Sequence, residues 1–344
     1  DGFDQDDRAQ LETVIRGLLQ AQHAGLFPLI TELNRYSDDL NAVEFASERL
    51  AASVRDYGRF IDEHILWVRS AAPLALGDLG LAARGFGVLL SPSTWAAATV
   101  ALGVEVERRL VSVAWAGLAL LLLALLRPLS RRQIRTAGER LATRRMAPIG
   151  PTLVVTLLTL VRASFWPVLV WVAGWMLSWP LAMPVVAAVG TGLMRLAPVL
   201  VPMLLLGEVC RPMGLAEAHL RWSNEVLRAV RRHLWLWHVF VVPALGLTLV
   251  FDAPGLAEFD AAAGRFALMV ALVGLTVVAH RFTRSEGAVM RALRSDTSAR
   301  FVGRMQWIWF PLTGLLPAAL VVAVALGFQY GSMQVGLGLV HSVT

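Results

Sequence analysis

Residues 110–145 carry the sequence LVSVAWAGLALLLLALLRPLSRRQIRTAGERLATRR, an apolar run followed by a cluster of arginines. An α-helix needs about 20 apolar residues to cross a hydrocarbon layer roughly 30 Å thick. The run over 110–126 approaches that length, and short loops rich in arginine stay on the cytoplasmic side during membrane insertion. The stretch therefore predicts a transmembrane helix that begins outside the cytoplasm and ends inside it.

The same pattern recurs along the chain, so that six apolar runs follow one another. We predict transmembrane helices over 110–126, 152–178, 185–206, 234–251, 266–278 and 307–328. The fifth run is the shortest, and its flanking Arg265, His280 and Arg281 must snorkel toward the headgroups if it is to span. The predicted fold class is all-α: a polytopic bundle of about six transmembrane helices behind an N-terminal extracytoplasmic helical segment.

The loops between these runs alternate between arginine-rich and arginine-poor. The predicted cytoplasmic loops contain Arg127, Arg131, Arg132, Arg135, Arg140, Arg144 and Arg145, then Arg211, Arg221, Arg228, Arg231 and Arg232, then Arg281, Arg284, Arg291, Arg294, Arg300 and Arg304. The first intervening loop, around Trp179, is uncharged, and the second carries Asp252, Glu258 and Asp260. This alternation predicts that both ends of the chain lie on the extracytoplasmic side.

The composition excludes several classes of protein. The chain is 56% hydrophobic with a mean hydropathy of +0.60, too apolar for a soluble domain of this length. Its net charge of +6 comes from loops that flank membrane spans, which favours anionic lipid headgroups over nucleic acid as the partner. The absence of lysine excludes a Walker A loop and a Schiff-base lysine. Cys210 is the single cysteine, so no intrachain disulfide is possible.

Residues 1–79 differ from the rest, with fourteen acidic residues against seven arginines. Apolar residues at helical spacing predict amphipathic helices packed side by side, with Gly25 and Pro28 separating two of them. We expect a periplasmic helical segment that ends a larger domain, because the chain opens at Asp1 without an initiator methionine or a signal peptide.

The stretch over 80–109 is intermediate in character. Ser91 and the following proline are a helix-start signal before Trp95. We predict interfacial or connector helices here, either lying flat on the outer leaflet with Trp95 at headgroup depth or packed as a connector within the head. At the other end of the chain, 331–344 resembles the approach to a further transmembrane helix.

Ionisable groups inside a span cost several kcal/mol and are therefore candidates for function. No carboxylate falls inside a predicted span, and Glu208 at the inner end of the third is interpreted as a salt-bridge partner. Arg162 is expected to snorkel toward the inner headgroups. Arg195 lies near the middle of the third span, where it either bonds backbone carbonyls within the bundle or contacts a lipid phosphate.

The sequence shows neither a metal-binding motif such as HExxH nor paired carboxylates, so we predict no enzyme activity, no catalytic or metal site, no cofactor and no small-molecule substrate. The candidates for lipid-headgroup or lipid binding are Arg127, Arg131, Arg132, Arg162, Arg195, Arg231 and Arg232. The candidate interfacial anchors are Trp95, Trp179, Trp235 and Trp307.

Two segments resemble a known family. They are YGRFIDEHILWVRSAAPLALGDL over 57–79 and CRPMGLAEAHLRW over 210–222. Together they resemble the inner-membrane portion of the large MscS-type mechanosensitive channels, the MscK (KefA) and MscM group of Gram-negative bacteria. The resemblance extends over most of the chain. Leu220 departs from the family pattern, in which an aromatic residue follows the histidine.

The resemblance implies a homoheptamer in the bacterial inner membrane that opens a central pore when membrane tension rises and releases solutes in hypo-osmotic shock. It also implies that the pore helix and a β-rich cytoplasmic vestibule lie outside this chain, so that none of its residues lines the pore. The chain would then be the peripheral, membrane-sensing and scaffold portion. The residues alone leave open a secondary transporter, another polytopic membrane protein without enzymatic activity, or a scaffold that senses nothing.

Overall fold

The computed structural model describes residues 5–65, 68–142, 149–179, 183–218, 222–283 and 306–342. The described helices are α1 (Gln5–Ile65), α2 (Leu76–Leu89), α3 (Pro92–Arg108), α4 (Leu110–Ala142), α5 (Ile149–Leu177), α6 (Pro184–Val209), α7 (Leu215–Ala218), α8 (Asn224–Leu236), α9 (Val242–Phe251), α10 (Ala257–Phe259), α11 (Arg265–Thr283), α12 (Gln306–Ala325) and α13 (Gln329–Ser342). No strand occurs in these ranges, which confirms the all-α prediction. The chain divides into two compact units, Asp1–Ile65 and Leu66–Thr344.

The first unit is one helix. α1 runs for 61 residues through both Gly25 and Pro28, so the prediction of two helices side by side was wrong. A proline inside a helix removes one backbone hydrogen bond and can kink it, but here helix continues on either side. The apolar residues of α1, such as Leu18 and Leu33, are exposed within this unit.

The second unit is a row of helices in which the main contacts join neighbours in the row. The order is α4, α5, α6, α9, α11 and α12. The largest apolar cluster lies between α6, α8 and α9. The buried share of the most apolar part of each helix rises from 0% in α4 to 50% over Asn224–Phe251. The row therefore has an almost bare helix at one end and a packed centre.

Among the described residues, six segments are long and apolar enough to cross a membrane, and five of them coincide with predicted spans. The five are Leu110–Ala137, Thr152–Leu177, Pro184–Val209, Asn224–Phe251 and Pro254–Phe282. The fifth is longer than predicted because a π-helical turn, Asp260–Gly264, leads directly into α11. The sixth predicted span corresponds to α12, of which the shorter apolar helix Gly314–Ala325 is fully described.

The fourth span also begins earlier than predicted. Ser223 caps α8 by accepting a hydrogen bond from the Val226 amide, and a π-helical turn over Trp237–Val241 joins α8 to α9. Such a cap satisfies an amide that has no partner within the helix. The sequence predicted a loop for the arginines at 228, 231 and 232. They lie instead on α8, a helix that continues into the span.

The remaining candidate span, Leu76–Arg108, is interrupted. α2 ends at Leu89, and α3 starts at Pro92 after Ser91 in an extended conformation, as the helix-start signal predicted. At about 1.5 Å per residue, neither piece alone covers roughly 30 Å of hydrocarbon. α2 and α3 reach the length and hydropathy of a span only when they are counted as one helix, without the interruption at 90–91.

The segments predicted to lie outside meet at one edge of the second unit, which we call the outer edge: residues 68–75, 179, 183–184, 252–264 and 326–329. The amides of Ser70 and Ala71 both donate to the Gly327 carbonyl, at 3.0 and 3.1 Å. Gly327 has φ +102°, and a Cβ there would collide with the Ala71 carbonyl. Gly255 allows a similar approach to the Pro184 carbonyl.

Side chains complete this edge. The Arg265 guanidinium is 2% exposed and donates to the Ala72 carbonyl at 2.8 Å. The Gln329 amide donates to the Asp260 carboxylate at 2.8 Å. The outer edge is thus closed by contacts between four distant parts of the second unit.

α2 and the residue that follows α3 contact the outer edge. Leu74, just before α2, donates to the Ala325 carbonyl, and the Phe86 ring packs edge-on against Phe251 at 5.3 Å between centroids. Beyond α3, the Arg109 guanidinium lies 4.9 Å from the centre of the Trp179 ring. The contacts at both ends of this stretch belong to the outer edge, which favours an interfacial path over a span. The interfacial assignment of 80–109 stays a prediction.

Candidate functional site

The first two arginine-rich loops meet at the opposite edge of the row, which we call the inner edge. α4 leaves its apolar run at Arg127, α6 ends beside Glu208, and α8 returns with Arg231 on the same side. The third arginine-rich loop, 284–305, lies outside the described residues. The structure therefore groups at one edge the described loops that the sequence placed on one side of the membrane. Which edge faces the cytoplasm stays a prediction.

A groove of about 460 Å³ opens between α4, α5, α6 and α8, and we call it the inner groove. Its lining comprises Arg127, Trp166, Met203, Leu204, Gly207, Glu208, Arg211, Pro212, Arg231, Leu234, Trp235 and His238. A smaller pocket beside it is lined by Ala124, Arg127, Pro128, Arg131, Arg162 and Phe165. The groove combines arginine donors with aromatic and aliphatic walls.

Glu208 is the negative centre of the inner edge. Its carboxylate accepts from Arg162 Nε at 2.6 Å and lies 2.8 Å from Arg211 Nε. The prediction that Glu208 is a salt-bridge partner is therefore confirmed. Arg162 also donates to the Arg127 carbonyl at 3.2 Å, and its side chain is 8% exposed. Arg162 was expected to snorkel toward the headgroups. It is instead held inside the bundle, because the buried Glu208 carboxylate accepts a hydrogen bond from it.

Two further arginines are fixed at the rim of the inner groove. The Arg127 guanidinium lies over the Phe165 ring at 4.8 Å and the Trp166 ring at 5.8 Å, in the range of cation–π contacts. Arg231 Nη1 donates to the Cys210 carbonyl at 3.4 Å. Both side chains are thus oriented by contacts that leave most of their N–H donors for other acceptors.

Burial and nearby charges shift the pKa values of Cys210 and Arg211, which follow α6. Burial lowers the pKa of Arg211, Glu208 opposes this effect, and repulsion from Arg162, Arg127 and Arg131 lowers it further. Burial likewise raises the pKa of the Cys210 thiol, although Arg231 opposes that change. Burial is therefore the main cause of both shifts.

Arg195 has a partner that neither interpretation of the sequence named. Its guanidinium donates to the Asp252 carboxylate at 2.6 Å, with 47% of the arginine side chain and 38% of the aspartate exposed. Backbone carbonyls are therefore not what holds it. A lipid contact at its exposed face stays a prediction.

The other predicted side chains fall in several places. Arg131 lines the smaller pocket, whereas Arg132 and Arg232 are exposed and line neither cavity. Among the residues that the structure describes, no group of three or more His, Cys, Asp and Glu side chains could hold a metal ion.

The predicted anchors also differ from one another. Trp235 is 61% exposed beside the inner groove, whereas Trp95 is half-buried and donates to the Leu89 carbonyl at 2.8 Å. Trp179 is buried at the outer edge, edge-on to Trp175. The side chain of Trp307 lies outside the described residues. Their anchoring roles stay predictions.

Sequence reasoning missed three contributors to these edges. Arg211 was predicted only as a loop charge and the buried Arg265 only as a span boundary, and no contact was predicted for Trp166. Arg127 and Trp166 lie on different helices, so their contact has no signal in spacing. The one available signal was the isolated Glu208 among arginines, which marks a place where several guanidinium groups must converge.

Comparisons with known proteins agree with a membrane protein. The family model described as "Mechanosensitive ion channel inner membrane domain 1" matches residues 110–344. A match to the "Miniconductance mechanosensitive channel MscM" of Escherichia coli (strain K12) is 24% identical over an alignment of 169 residues and covers 46% of this chain. The matched region spans only 15% of the length of that relative. No solved structure matches the chain.

Proposed function

The chain belongs to the family of mechanosensitive ion channels that carry inner membrane domain 1, and we propose that it is the peripheral, membrane-sensing and scaffold portion of such a channel. In this proposal the channel opens under membrane tension and releases solutes in hypo-osmotic shock. The family match over residues 110–344 is the observation that carries it.

The row of helices supports a sensing role physically. Tension favours whichever state occupies more membrane area, and it acts on every helix that contacts lipid. α4 has apolar side chains on all its faces, among them Trp115 at 67% and Leu121 at 55% exposure. A row whose end helix is almost bare offers lipid a longer perimeter than a closed bundle of the same helices.

The assembly and placement are part of the proposal. The chain assembles with identical subunits, as a homoheptamer, in a bacterial inner membrane with both ends of residues 1–344 in the periplasm. It has the organisation of the MscK (KefA) and MscM group, and the conducting pore is formed by residues outside this chain. Membrane lipids and the identical subunits are its partners.

Patch-clamp recording tests the function. Spheroplasts that lack their own mechanosensitive channels would express either the full-length protein or a version without residues 1–330. We expect pressure-activated currents from the full-length protein and a higher pressure threshold from the truncated one, because less of its perimeter contacts lipid.

The matched control is a version without residues 1–65, which removes only the separate first unit. It should keep the threshold of the full-length protein. An equal threshold in all three versions would contradict the sensing role. Absence of pressure-activated current from the full-length protein would contradict the channel, and currents that instead depend on a transported substrate would favour a secondary transporter.

A further inference from the structure

We propose that the inner groove is a binding site for one anionic phospholipid, with its phosphate held by Arg127, Arg211 and Arg231. The acyl chains would lie along the apolar wall formed by α6 and α8. This goes beyond the proposed function, because it requires only that the second unit is embedded in a membrane.

The charge of the inner groove favours an anion. Its lining has three arginines against one carboxylate, Glu208. That carboxylate is shared between Arg211, which lines the groove, and Arg162, which does not. The groove therefore keeps a positive surplus that a phosphate group would neutralise.

The arginines are oriented before any ligand arrives. Arg127 lies over two aromatic rings, Arg231 is tied to the Cys210 carbonyl, and the Nε of Arg211 is held by Glu208. A guanidinium group carries five N–H donors in a planar fork, so each contact leaves donors for phosphate oxygens. Fixing these side chains in advance reduces the entropy lost when an anion binds.

The apolar wall distinguishes a lipid from free phosphate. Met203, Leu204 and Leu234 line the same groove as the arginines, and Trp166 and Trp235 are 48% and 61% exposed beside them. Tryptophan is favoured at the depth where headgroup and acyl chain meet. A free phosphate ion would use only the arginines and leave this wall in contact with bulk lipid.

Native mass spectrometry of the full chain in detergent tests the site. Delipidated protein would be titrated with phosphatidylglycerol, phosphatidylcholine or inorganic phosphate, as wild type and as the double variant Arg127→Gln/Arg231→Gln. We expect one phosphatidylglycerol to bind the wild type and to bind the variant roughly tenfold to thirtyfold more weakly, because two phosphate-directed charges are lost.

The matched control is Arg135→Gln/Arg228→Gln. It removes the same charge from the same two helices, α4 and α8, at exposed positions that do not line the inner groove. Its affinity for phosphatidylglycerol should stay within about twofold of the wild type.

Three results would overturn the proposal. They are equal weakening in both double variants, equal wild-type affinity for phosphatidylcholine and phosphatidylglycerol, and displacement of the lipid by inorganic phosphate at comparable concentration. The last result would assign the arginines to a free anion.

A second measurement avoids any dependence on how the variants fold. Wild-type chain in vesicles that contain a photoactivatable phosphatidylglycerol would be irradiated, digested and mapped. Crosslinks in the peptides that contain Trp166 and Trp235 support the site. Crosslinks confined to other peptides would contradict it.

Discussion

Two arginines within the apolar helices, Arg162 and Arg195, each contact a carboxylate at 2.6 Å. The Arg162–Glu208 pair belongs to the inner edge, and its side chains are 8% and 10% exposed. The Arg195–Asp252 pair belongs to the outer edge, and its side chains are 47% and 38% exposed. The two pairs have equal distances but should differ in their effect on stability. Removing one partner of a buried pair leaves the other charge buried without compensation, whereas an exposed charge stays solvated.

The two edges differ in the same way as the two pairs. Guanidinium groups around one carboxylate hold the inner edge, where an open groove remains. Backbone hydrogen bonds and close glycine contacts close the outer edge, as at Gly327. The inner edge should thus respond to changes in charge, and the outer edge to the loss of a single donor.

The largest effect is expected from Glu208→Gln. The substitution leaves Arg162 buried without a counter-charge, which typically costs about 3–5 kcal/mol. Denaturant unfolding of the detergent-solubilised chain, followed by tryptophan fluorescence, would measure the loss.

Two companion variants sharpen this test. Glu258→Gln removes a carboxylate from an exposed position and should leave stability almost unchanged. The double variant Arg162→Met/Glu208→Met replaces the pair by apolar groups and should recover most of the stability. A loss from Glu208→Gln no greater than that from Glu258→Gln would show that the buried Arg162–Glu208 pair contributes no more to stability than an exposed carboxylate.

An intermediate effect is expected from Arg265→Met at the outer edge. The Ala72 carbonyl loses its donor, which costs about 1–2 kcal/mol and should open the segment 68–75 locally. Hydrogen–deuterium exchange of the Ser70 and Leu74 amides should accelerate roughly tenfold. Arg281→Gln, an exposed change at the other end of α11, is the control. Unchanged exchange at these amides would mean that Arg265 does not hold the edge.

The smallest effect is expected from Asp252→Asn. Both members of this pair are more than one third exposed, and such pairs contribute about 0–1 kcal/mol, screened by salt. The same unfolding measurement at low and high salt should show a small loss that vanishes as salt is added. Arg195→Gln should behave alike. A loss close to that of Glu208→Gln would remove the distinction between the edges.

The sequence predicted the spans and the two edges well because both depend on local composition. An apolar run predicts a span by its length, and arginines predict its cytoplasmic end by their charge, as at Arg127 and Arg211. The limits of the fourth and fifth spans were less predictable, since a cap at Ser223 and a π-helical turn at 260–264 extend the helices beyond the apolar residues.

Local composition was a poor guide in two other places. Pro28 predicted a helix boundary, but α1 continues through it. The partners of Arg162 and Arg195 are 46 and 57 residues away in the sequence, so helical spacing does not predict these pairs. A pair of this kind is set by how neighbouring helices align, which depends on packing over their whole length.

The outer edge also has a consequence for the order in which the protein folds. Ser70 contacts Gly327 across 257 residues, and Arg265 reaches back 193 residues to Ala72. The row from α4 to α12 can be assembled neighbour by neighbour as the chain is synthesised, whereas contacts between such distant residues must wait for loop closure. Until residue 327 has been synthesised, the amides of Ser70 and Ala71 lack the Gly327 carbonyl as their partner. The hydrogen bonds between 70–74 and 325–327 can therefore form only after residue 327 has been synthesised, whereas the close approach of Gly255 to Pro184 at the same edge does not depend on it.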